Sequence, residues 1–166
     1  NLSTALKLYT ILNGLRINYL PDPELSYTAV STNTNLIDFL QYPGETLIRK
    51  VGDCDDLVTL YSALLENSGV ATAFIDVPGH IFMAIDLKMN PEDAKTLGYN
   101  PKDIIEYQGK AWLPIETTLI GSAPFSQAWE KAAARYYQEI SKGQFPDVVT
   151  MQDARKVYRP SSFVPG

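Results

Sequence analysis

One cysteine and one histidine are all that the 166 residues contain of two side chains central to nucleophilic catalysis and zinc binding. A single cysteine excludes an internal disulfide, so cysteine usage does not identify a redox compartment. It also excludes a thiolate-rich zinc site, and with one imidazole a zinc centre would rest almost wholly on carboxylates. Positive charge is scarce: 14 Lys and Arg stand against 19 Asp and Glu, for a net charge of −5. No cationic run exists to neutralise a phosphate backbone, which argues against nucleic acid as a partner. No stretch approaches the ~20 apolar residues of a membrane span. A signal-like segment is also missing, and the chain starts at Asn1. The expectation is therefore a domain excised from a longer or processed chain, with other domains possible and its targeting information elsewhere.

What is present fits one globular domain over residues 1–166. Hydrophobic residues make up 45% and charged residues 20%, and a chain of this length can bury a substantial core. Residues 3–16 have helical spacing, with Ser3 as the expected cap. An extended piece over 17–20 ends at Pro21 and Pro23, and 22–35 is polar and turn-rich. A helical turn is expected over 35–40 and a second short helix over 45–50. Asp53 then reads as an N-cap, with Asp56 three residues on as a capping box. Leu57, Leu60, Tyr61, Leu64 and Leu65 repeat at helical spacing until Gly69, and Cys54 falls on the same buried face.

Strands are expected over 71–77 and 80–87, joined by Pro78-Gly79 in a turn of type II that would splay the pair. On the second strand His80, Phe82, Ala84 and Asp86 share one face, and Ile81, Met83, Ile85 and Leu87 the other. Residues 88–110 form a long polar excursion with short helical turns. A third strand over 111–117 should be short because Pro114 donates no ladder bond. An amphipathic helix over 125–142, capped from the region 122–126, and a last helical turn over 151–158 complete the chain. The class is α+β.

The chemistry-bearing residues converge on Cys54. A thiol at a helix start gains from the helix dipole, and an imidazole can take its proton. His80 is the one imidazole available. The group that orients it must be a carboxylate or amide. Asp86 shares its face but lies roughly 20 Å along a regular strand, and Asp76 requires a tightly folded turn. Glu116, at the end of the third strand, comes beside His80 where the strands are antiparallel neighbours. Trp112 has the same parity and is a candidate to shield the site or contact substrate. Taken singly, Cys54 reads as a core residue and His80 as a backbone-satisfied one; it is their combination with the cap and Glu116 that favours catalysis. Asp53, Asp55 and Asp56 are expected from capping alone, and their charges oppose thiolate formation.

Gly52-Asp-Cys-Asp-Asp56, Gly79-His-Ile-Phe-Met-Ala-Ile-Asp86 and Trp112-Leu-Pro-Ile-Glu-Thr-Thr118 together resemble the transglutaminase-like superfamily, in particular its bacterial cysteine proteinase branch. The likeness spans about residues 41–118. It implies a papain-like core, the nucleophile at a helix N-terminus packed on an antiparallel sheet. In that core Cys54 attacks a carbonyl carbon, His80 moves the proton and Glu116 orients the ring. By analogy the Cys54 N–H or the Gln41 amide would stabilise the oxyanion. Two features depart from the pattern. Glu116 stands where the family usually has Asp, and Asp55 stands where tissue-type transglutaminases have Trp, which points toward hydrolysis. Some bacterial relatives bind calcium beside the nucleophile, which makes Asp55 and Asp56 calcium candidates, but two side chains fall well short of the roughly six to eight oxygen ligands required. The expected activity is thus a cysteine peptidase or amidase with a protein or peptide substrate and no cofactor, in an extracytoplasmic setting. An inactive interaction module and transglutaminase-type amine transfer are the alternatives.

Overall fold

The computed structural model describes residues 1–21 and 40–159, so the expected loop over 22–35 and most of the turn over 35–40 lie outside the described residues. Helix α1 (Leu2–Gly14) starts directly after Asn1, two residues earlier than a Ser3 cap would allow. Strand β1 (Asn18–Tyr19) follows, and α2 (Pro43–Arg49) begins at its proline, whose missing N–H has no partner to lose at a helix start. Strand β2 (Val51–Gly52) lies parallel to β1, pairing Asn18 with Val51 and Tyr19 with Gly52.

Helix α3 (Cys54–Asn67) carries the expected reciprocal box: Asp53 accepts the Asp56 N–H, and Asp56 accepts the Asp53 N–H. Gly69, at φ 76°, ends it. Strands β3 (Thr72–Val77) and β4 (His80–Asp86) pair continuously from Thr72↔Ile85 to Val77↔His80. The hairpin is therefore tight rather than splayed. Gly79, at φ 72°, supplies the left-handed conformation that a type II turn needs at its third residue.

The excursion after β4 contains α4 (Pro91–Thr96) and an unexpected strand, β5 (Ile105–Tyr107). Strand β6 (Lys110–Ile115) starts one residue before the expected 111 and ends two before 117. Pro114 lies opposite Ala84 and past Trp112, the last residue that β5 pairs, so it breaks no β5 ladder bond. A 3-10 turn (Thr117–Leu119) leads to α5 (Phe125–Ser141), whose N-cap is Pro124 with no side-chain cap. Strand β7 (Asp147–Thr150), also unexpected, precedes α6 (Met151–Val157). The result is an α+β fold around one antiparallel sheet in the order β5-β6-β4-β3-β7.

The period-two alternation of β4 sorts the core. Met83 and Ile85 join Leu57, Leu60, Tyr61 and Leu65 of α3 and Leu113 and Ile115 of β6. Phe82 and Ala84 join Ile75, Trp112 and Ala132 on the opposite face. Each fully buried leucine or isoleucine here contributes about 1.5–3 kcal/mol relative to exposure. Tyr61 anchors α3 to α1 by donating its hydroxyl to Ala5 O at 2.7 Å, while Tyr9 stands edge-on to both Tyr61 and Phe125.

One glycine closes the frame. A Cβ on Gly121 would lie 1.8 Å from Ile17 O, and its φ of +83° disfavours any other residue. Asn13 secures the same corner, accepting the Gly121 N–H at 2.7 Å and donating to Ala123 O at 2.9 Å. The segment leading to β1 is thereby held against the turn that follows Glu116.

Candidate active site

Three separate elements deliver Cys54, His80 and Glu116 to one region. Cys54 is the first residue of α3, His80 the first of β4, and Glu116 the residue just after β6. Continuing the register Ala84↔Pro114 places Glu116 opposite Phe82, a diagonal step from His80. The contact is direct: His80 Nε2 lies 2.7 Å from Glu116 Oε2. An ionised carboxylate can only accept, so Nε2 carries the proton and Nδ1 is left as the basic nitrogen.

Glu116 is itself held. Its Oε1 accepts both the N–H of Thr118 at 3.1 Å and the Thr118 hydroxyl at 2.7 Å. Burial by itself would push this carboxyl up, but the imidazole and the two Thr118 donors more than offset it and hold the group below the usual range. The pair is thus a fixed, ionised carboxylate bonded to an imidazole that is 22% exposed, with the Phe82 ring stacked 6.1 Å from it.

The thiol half is different. Cys54 is 4% exposed, and burial pushes its thiol up to about 12. The Ile81 N–H favours the thiolate, Asp53 and Asp55 oppose it, and the Asp55 N–H again favours it. Ile81 is the residue next to His80, which places the sulfur beside the start of β4. Among the described residues no hydrogen bond joins thiol and imidazole. At rest Cys54 is a protonated thiol.

An open cleft with a volume of about 450 Å³ borders the imidazole–carboxylate pair. Tyr19, His80, Glu116 and Thr118 form one side, and Lys131, Arg135 and Gln138 of α5 another. The volume lies in the range of ligand-binding pockets. Tyr19, which lines the cleft, feels burial and then the charges of Cys54, Asp53 and Glu116, all of which raise its phenol, so it lies near the sulfur as well as the carboxylate. Neither Tyr19 nor the α5 residues stood out in the sequence; only the two-residue pairing of β1 with β2 brings Tyr19 alongside Gly52.

Gln41 and Trp112 occupy other positions. The Gln41 side-chain N–H groups go to Asp56 Oδ2 and, at 3.4 Å, to Val51 O, while its backbone N–H donates to Asp56 Oδ1 at 2.7 Å. Its amide is a clamp on the start of α3 and not a donor directed into the cleft. Trp112 lies opposite Asp86, at the far end of β4 from His80, and donates its indole N–H to Tyr107 O. Asp86 is paired with Lys110 at 2.7 Å, and Asp76 lies opposite Ile81, so neither orients His80.

The carboxylates of Asp53, Asp55 and Asp56 lie within 4.8 Å of one another. Both Asp56 oxygens are already used, by the Gln41 N–H groups and the Asp53 N–H, and burial raises its pKa despite them. Capping accounts for this cluster. Gly52 is required beside it, because a Cβ there would lie 2.7 Å from Asp56 Cβ. Among the described residues no helix is long and apolar enough to cross a membrane. No family model, curated protein or solved structure matches the chain.

Proposed function

We propose that this domain is a thiol-dependent acyl-transfer enzyme, a peptidase or amidase of papain-like and transglutaminase-like type. The observation that carries the reading is the 2.7 Å His80–Glu116 bond, with Nδ1 left over and the neighbouring Ile81 N–H favouring the Cys54 thiolate. Because the resting thiol is protonated, His80 acts as general base during attack rather than as one half of a standing ion pair. The Cys54 proton passes to Nδ1 as sulfur bonds to the acyl carbon. The imidazolium then protonates the amine as the C–N bond breaks. Water, deprotonated by His80, cleaves the thioester and restores the thiol. Glu116 keeps the ring in its tautomer and stabilises the imidazolium throughout. The Cys54 N–H at the start of α3 is the available donor for the oxyanion, since the N–H groups of Asp55, Asp56 and Leu57 are already engaged.

Labelling by a peptidyl vinyl sulfone tests this reading. Cys54→Ala should abolish it and His80→Ala should nearly do so. Equal labelling of His80→Ala and wild type would overturn it. The burial and high pKa of Cys54 favour a second reading, a non-catalytic interaction module that keeps the fold, and equal labelling is the result it expects. Incorporation of an added amine in place of hydrolysis would identify the transamidating alternative.

A further inference from the structure

The cleft beside His80 has walls of opposite electrical character. Among the described residues Glu116 is the only carboxylate in its lining, and it is already bonded to His80 and Thr118. Facing it, Lys131, Arg135 and Gln138 lie four and three residues apart on α5, hence on one helix face. Lys131 is exposed and has no ion pair among the described residues. Arg135 contacts Glu139 through Nε at 3.1 Å and donates from Nη2 to Pro78 O at 3.3 Å. Among the described residues, the two N–H groups on Nη1 and one on Nη2 have no partner, so three of its five remain for a ligand. Two cations facing a cleft run against the chain's net charge of −5. Around the sulfur, by contrast, Asp53 and Asp55 disfavour any second negative charge. An acidic group entering this site is repelled from the α3 side and attracted to α5.

Building on the acyl-transfer reading, we infer that the cleft selects peptide substrates carrying a carboxylate close to the scissile amide, with Lys131 and Arg135 as the residues that determine this preference. The carboxylate comes from an acidic side chain or from the peptide's own C-terminus.

Cys54 is the only cysteine, so alkylation reports on this site alone. The probes are iodoacetate and iodoacetamide, near-isosteres that differ in charge. The rate ratio of iodoacetate to iodoacetamide at Cys54, divided by the same ratio for free cysteine, should exceed one by about five- to tenfold at low ionic strength. It should fall toward one in high salt and in Lys131→Gln, and below one in Lys131→Glu; both substitutions are at an exposed position that leaves packing intact. Quenched-fluorescence peptides with Glu or Gln in turn at each position, each made with a free and an amidated C-terminus, then separate the two sources. A ratio that neither salt nor Lys131→Glu changes overturns the inference and leaves the catalytic reading standing. Labelling unaffected by His80→Ala overturns the catalytic reading and the inference with it.

Discussion

The two halves of the candidate site are built to different standards. On the sheet side His80 and Glu116 are bonded to each other, and Glu116 is fixed twice more by Thr118. On the helix side the sulfur is buried, protonated and beside two acids. Under the proposed acyl-transfer function, the difference tells where the work of catalysis would fall. The base is assembled before any substrate arrives, whereas the nucleophile forms only as its proton leaves. A high resting pKa also spares the only thiol from oxidation and adventitious alkylation.

That comparison breaks most severely at the base. His80→Ala should lower the vinyl sulfone labelling rate by about three orders of magnitude, because no other imidazole is available to take the proton. Glu116→Gln should cost less, about one to two orders, since the ring stays in place but loses the charge that stabilises its protonated form; the same rate assay measures it. On the helix side Gly52→Ala forces Asp56 away from its partners. Urea unfolding should show a loss of about 1–3 kcal/mol, with labelling reduced as the start of α3 shifts.

Acid sharpens the contrast. Glu116 has a folded-state pKa below its ordinary value, so its contribution to stability is complete above the ordinary carboxylate range and disappears as pH falls through the lowered value. The side-chain carboxyl carbon NMR signal of Glu116 should therefore titrate below the ordinary carboxylate range. In Glu116→Gln that acid transition should be missing. The smallest effect belongs to Asp55→Asn. Removing one of two repelling charges should move the thiol titration, followed by thiolate absorbance, downward from about 12 while burial keeps it high.

Local features were legible in the sequence. The Asp53–Asp56 box, the apolar stripe of α3 and the alternation of β4 each depend on residues within a turn or a strand of one another, and all stand as read. The pairing of His80 with Glu116 was legible because two strands of sufficient length fix parity. Trp112 shows the limit of that reasoning: its face was correct, but the register puts it opposite Asp86, at the wrong end of the strand. The short strands β1, β5 and β7 have too few residues to display a period, so Tyr19 went unnoticed. Gln41 was singled out as an oxyanion donor, but its bonds to Asp56 were not legible, because that partner is set by a tertiary contact and not by a motif. The α5 cations were invisible as a group until the helix was set against the cleft.

The tight β3–β4 hairpin has a mechanical consequence. His80 is the first residue after a two-residue loop, paired at once with Val77, so the imidazole has almost no slack chain behind it. Arg135 grips that loop through Pro78 O and also lines the cleft. Whatever draws on Arg135 from the cleft side therefore pulls on the mount of the base, and occupancy of the cleft and the aim of the imidazole become a single adjustment.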